Sequence, residues 1–188
     1  MGTQEKLDID MFKVVSRAIS ESTNLDIMAN HLAQLLTAAL GIKGCTIFAL
    51  NLETEELEVL ASFGLSVEYM NKGPVTAEKS IGCTLKGEAV VVNDVTSSDR
   101  LQYPEEAVKE GVGAMVSLPI MFLKEAIGVL RLYHHDVWDI SDRDVDSLLI
   151  LAENIGLAMM YTRLLNTLQA INEAMSVLPT ELVPLFGK

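Results

Sequence analysis

The chain is short of several things, and each shortage excludes something. It has two cysteines, Cys45 and Cys83, far apart and in no CxxC pair. They make no disulfide framework and read as two reduced thiols. Aromatic residues are only 5% of the chain, so Leu, Val, Ile, Ala and nine Met must fill any core. Basic residues number 14 against 26 acids, a net charge of -12. That balance argues against nucleic-acid binding and against docking on anionic lipid. No uninterrupted apolar run of about 18 residues occurs, so no membrane span is expected. The start, MGTQEKLDIDMF, lacks a basic segment followed by an apolar one, so no secretory signal is expected. Lys6 stands where a myristoylation pattern has Ser or Thr. A cytoplasmic location is the expectation.

Catalytic signatures are also missing. There is no GxSxG, HExxH, P-loop or GxGxxG, so no enzyme is expected. The histidines are His31, His134 and His135. The last two are neighbours at a strand end and point to opposite faces, which suits no shared metal.

What is present is globular. Hydrophobic residues are 49% of 188, enough for one domain of about 150 residues with extensions. Helical spacing runs through 7–20, LDIDMFKVVSRAIS, and 25–40, LDIMANHLAQLLTAAL, closed by Gly41. Strands follow at 43–50 and 57–62 as a hairpin. In the first, Cys45, Ile47 and Ala49 share one face, and Thr46, Phe48 and Leu50 the other. Both faces are mostly apolar, so both sides of the sheet must be covered.

Beyond it, Tyr69 lies in a short turn or helix, and Ser80 can cap a short helix containing Cys83. A strand at 89–94 ends in Asp94, which either caps a turn or faces a pocket. Pro104 opens a short helix. Two strands then meet at the turn Leu123-Lys124-Glu125 within AMVSLPIMFLKEAIGVLRLYHH. Arg131 interrupts the second of them and shares a face with Tyr133. It reads either as an exposed or edge position, or as a contact to an anion or polar ligand. Met115 and Ser117 share a face on the neighbouring strand.

A last helix is expected from 142 to about 177, capped by Ser141 with Asp144 in the first turn and with Ile140 and Val145 as a staple. Within it Leu157, Tyr161, Leu164, Leu168, Ile171, Met175 and Leu178 follow a 4-3 spacing. That is a coiled-coil seam, which either packs on its own domain or has its second half pairing with another chain or continuing into another domain.

The order of these pieces resembles the GAF domain, a sensory module of signalling proteins. The resemblance rests on Gly87 to Asp94, Glu110 to Ile120, Ile127 to Tyr133 and Ile140 to Asp144, and covers about 22–160. It implies an α+β fold with a central antiparallel sheet of 5–6 strands. Terminal helices would cover one face; short helices and loops would form a pocket on the other. Residues 1–21 are then an N-terminal helix, and 161–188 a helical extension and tail.

The resemblance further implies a regulatory sensory module that binds an unknown small molecule and relays the signal through a dimeric C-terminal helix. Its ligand residues are expected among Tyr69, Cys83, Asp94, Met115, Ser117, Arg131 and Tyr133. The dimer seam is expected at Leu157, Tyr161, Leu164, Leu168, Ile171 and Met175. Partners would be a second copy, through N- and C-terminal helices, and an output domain or protein. No cofactor is named by the pattern. Cyclic-nucleotide-binding members carry Asn-Lys where Tyr133-His134 stand, and bilin-binding members an Asp-Ile-Pro that this chain lacks. Two alternatives stand beside this: a thiol-based reductase of free methionine sulfoxide, and a dimerisation scaffold without ligand.

Overall fold

The computed structural model describes residues 9–20, 24–51, 53–76 and 87–177. Helices α1 (Ile9–Ser20) and α2 (Leu25–Leu40) lead into strands β1 (Gly44–Asn51) and β2 (Glu56–Phe63). Then come α3 (Val67–Met70), β3 (Val75–Thr76), β4 (Val90–Val92) and α4 (Pro104–Glu110). Strands β5 (Ala114–Phe122) and β6 (Glu125–His134) precede α5 (Asp142–Val177). The six strands form one antiparallel sheet in the order β3-β2-β1-β6-β5-β4.

Local chemistry sets the boundaries. Asn24 Oδ1 accepts from the Ile27 amide at 3.0 Å and caps α2. Gly41, with φ 61° and ψ 34°, closes it in the left-handed conformation. Ser141 Oγ accepts from the Asp144 amide at 3.1 Å and donates to its carboxylate at 2.9 Å, which fixes the start of α5. The β5–β6 turn takes positive φ at both Leu123 (48°) and Lys124 (69°). That is the hairpin geometry matching strand twist.

Helices α1, α2 and α5 cover one sheet face. Their core joins Leu32, Leu36 and Leu40 of α2, Leu148, Leu151 and Ile155 of α5, and Ile47, Leu118 and Leu130 of the central strands. Each such side chain contributes roughly 1.5–3 kcal/mol by leaving water. Cys45 lies in the same core. The opposite face is held by two smaller clusters under α3, α4 and the connecting loops. A sheet covered on both sides needs no clean polar alternation, as its composition indicated.

Helix α5 is 36 residues long, about 54 Å at ~1.5 Å per residue. Its first half lies on β5; Thr162 is the last buried residue within the helix. Leu157, Tyr161, Leu164, Leu168, Ile171 and Met175 are 50–63% exposed. The seam therefore does not pack on its own domain. By length and composition α5 is apolar enough to cross a bilayer, although 44% of its apolar window is buried in the fold. Asp144, Asp146 and Glu153 break the run that sequence inspection looks for.

Candidate ligand-binding site

The sheet face away from the long helices gathers an unusual set of side chains. Antiparallel pairing puts Thr46, Arg131 and Ser117 abreast on β1, β6 and β5, and Gly44, Tyr133 and Met115 abreast one step on. Side chains two apart on a strand share a face, so Arg131 and Tyr133 stand together. β6 is a central strand and Arg131 is 3% exposed, which removes the exposed-or-edge reading. A buried guanidinium is costly unless it is bonded. Arg131 Nε donates to Ser117 Oγ at 2.9 Å, and its guanidinium lies 5.4 Å from the Phe48 ring centre.

Tyr133 is fully buried. Its hydroxyl makes no well-formed hydrogen bond, with Thr46 and Arg131 beside it. Burial, more than any neighbour, raises its pKa. Tyr69 meets the Tyr133 ring edge-on at 5.8 Å. It is carried by α3, which Ser66 caps by accepting from the Tyr69 amide at 3.1 Å. Burial, then the Tyr133 charge, pushes the Tyr69 hydroxyl up.

Lys72 completes the group. Its Nζ lies 3.8 Å from the Tyr69 ring centre and donates to the Tyr69 carbonyl at 3.0 Å. Burial first, then Arg131, lowers its pKa to about 8. At the rim, Glu110 accepts from the Ser66 amide at 3.0 Å and from its hydroxyl, and pairs with Lys43 at 3.4 Å. Burial pushes the Glu110 carboxyl up, but the Ser66 bonds and Lys43 outweigh it and hold it below the usual range. A hollow of about 160 Å³ opens there between Tyr69, Glu106 and Glu110. The arrangement offers recognition: cationic and hydroxyl donors on an apolar and aromatic wall.

Five of the seven expected site residues, Tyr69, Met115, Ser117, Arg131 and Tyr133, lie on this one face. Asp94 does not join them; its Oδ1 accepts from the Thr96 amide at 2.8 Å and hydroxyl at 2.6 Å and caps a turn. Cys83 and its expected helix lie outside the described residues. Cys45 sits in the helix-side core, where burial pushes its thiol far up. His134 stacks on Trp138 at 5.2 Å, and its Nδ1 accepts from the Asp136 amide. No metal-binding group of His, Cys, Asp and Glu occurs among the described residues.

Sequence reasoning missed Lys72, Thr46, Phe48 and Glu110. Thr46 and Phe48 were legible as one strand face; their meeting with Arg131 needed the register. Lys72, beside Gly73-Pro74, carries no local signal, because only burial makes it unusual.

A GAF domain family model matches residues 22–160. No curated protein matches the chain. Among solved structures, it is similar to the GAF domain of a phosphoenolpyruvate-protein phosphotransferase from Coxiella burnetii. That match has a TM-score of 0.77 at 14% identity and covers 88% of this chain and 99% of that one. A free methionine-R-sulfoxide reductase from Neisseria meningitidis, solved with its substrate, matches at TM-score 0.72 and 16% identity, over 87% and 94%. A domain of a two-component sensor histidine kinase protein from Sinorhizobium meliloti 1021 matches at 0.59 and 18%, over 84% and 94%. At such identities the likeness is one of fold.

Proposed function

The chain belongs to the GAF family, and from that premise we propose that it is a regulatory sensory module acting as a dimer. It binds a small molecule over the sheet face that carries Arg131, Tyr133, Tyr69, Ser117 and Met115. It passes the change along α5 to a sister subunit or output partner in the cytoplasm. The observation that carries this is the pairing of a buried cation face on one side of the sheet with a half-exposed helix on the other. A core built only for stability gains little from a buried Arg131, since a desolvated cation costs several kcal/mol before its contacts offset it. The exposed seam from Leu157 to Met175 supports association, because six large apolar side chains on one helix stripe leave water when a second helix meets them. Asp94 and Cys83 remain in the proposed ligand set only as residues of flanking segments. A ligand moves the module only by its differential affinity for two states, typically 1–3 kcal/mol.

Native mass spectrometry of the protein as purified tests both halves. A dimer with added small-molecule mass, lost in Arg131→Met, is the expected result. A bare dimer that no ligand library alters would leave a scaffold and refute the sensor. Leu164→Glu with Leu168→Glu should give monomer; an unchanged dimer mass would refute the seam.

A second reading, thiol reduction of free methionine sulfoxide, draws on the fold shared with the Neisseria enzyme. Cys45 is unsuited to it, since a buried thiol held protonated is no nucleophile. The reading then rests on Cys83, and turnover lost in Cys83→Ser would support it.

A further inference from the structure

The helix-covered side of the sheet holds its own hollow, across the sheet from Arg131. Two β-bulges frame it. In β2, Leu60 is the extra residue between Ala61, opposite Ile47, and Val59, opposite Phe48. In β6, Ile127 is the extra residue between Gly128, opposite Ile120, and Ala126, opposite Met121. A bulge bends its strand and re-aims a side chain. Both extra side chains line the same trough. β1 runs between the two bulged strands and offers Ala49 there, one step along the face from Ile47. Ala49 and Ala126 leave room that a branched residue would fill.

The trough measures about 590 Å³, within the ~300–1,000 Å³ of small-molecule sites. Met159 and Met160 of α5 form its wall. Thioether side chains adapt to variable apolar shapes. Lys124, on the hairpin turn, and Arg163, on α5, are the exposed cations at its mouth, and Glu125 is the one acid of its lining. Two cations against one carboxylate make this mouth positive on a chain of net charge -12.

The geometry points to a second ligand site: the trough takes a free amphiphile, an unbranched apolar chain with one anionic head set at Lys124 and Arg163. The chain of the ligand replaces water on Leu60, Ile127, Met159 and Met160. The head meets donors that keep their own access to water. Its occupant touches α5 next to Thr162, where the helix leaves the domain.

The probe is decanoate, kept below its micelle concentration, with decanol as the neutral counterpart. Binding is read on the full chain by ¹³C-methyl methionine spectra, with Met159→Leu and Met160→Leu assigning the signals. Decanoate should shift both methyls saturably. Lys124→Glu with Arg163→Glu, both at exposed positions and checked for an unchanged urea midpoint, should weaken decanoate about tenfold or more and decanol less than threefold. No shift at either methyl overturns the site. Equal binding of decanoate and decanol, indifferent to the double variant, overturns the anionic head. Dilution alone should move the Met160 methyl, which lies beside the α5 seam, and leave the buried Met159 methyl in place; a Met159 shift on dilution alone means that a second copy covers the trough, and overturns the free amphiphile. Each failure leaves the Arg131 face untouched.

Discussion

Replacing Gly156 by alanine sets two effects against each other. Gly156 is the one glycine in α5. Helix propensity alone favours alanine by about 0.8–1.0 kcal/mol. Yet a Cβ there would lie 2.5 Å from the Met121 carbonyl oxygen of β5 and 3.2 Å from Ile120 Cγ2. That is half an ångström inside the 3.0 Å that real Cβ contacts respect. The obstacle is backbone of a paired strand, so it cannot swing aside. The helix must lift instead, and Leu148, Leu151, Ala152 and Ile155 lift with it from the core.

A radial gap of 0.5–1 Å forfeits about a quarter to a half of each contact's dispersion energy. Overpacking of this kind costs about 1–3 kcal/mol, and loosened neighbours add to it. The clash should win, with a net loss of about 1–2 kcal/mol. Urea unfolding at one fixed protein concentration reads it as a lower midpoint with unchanged slope. A midpoint equal to or above the parent's would refute the close seating of α5 on β5.

Three further outcomes follow from the ionisable groups. Lys72, held at about 8 against 10.5 when unfolded, is protonated in the unfolded chain and neutral in the folded one between those values. Stability should therefore gain with pH across that window. Lys72→Met should remove that gain, and an identical pH slope in the variant would refute Lys72 burial. Glu110 is held below its ordinary 4.5, so its contribution is present above that pH and lost as pH falls beneath it. The stability difference between the parent and Glu110→Gln should shrink to nothing on acidification; a constant difference would refute the Ser66 and Lys43 contacts. Cys45 should resist a thiol reagent in the native Cys83→Ser protein and react only on unfolding. Rapid native labelling would place the Cys45 thiol outside the core.

The sequence by itself determined the elements. Local rules suffice where neighbours in the chain carry the signal. Ser141 as a cap, Gly41 as a stop and the 4-3 spacing from Leu157 onward each depend on residues within a few positions. The family pattern added the sheet and its covering helices. Tertiary structure alone decided how side chains distant in sequence meet. Arg131 reads as either an exposed or edge residue or a ligand contact until its strand is found at the centre of the sheet, between Thr46 and Ser117. Asp94 was open until Thr96 took both its bonds. Lys72 has no signature at all, because its lowered pKa comes from desolvation and from Arg131, 59 positions away in the chain. The bulges at Leu60 and Ile127 are likewise facts of pairing, since an extra residue exists only relative to the strand opposite. Periodicity reports which face a residue takes. What lies across that face is set by register and packing, which no short window of sequence contains.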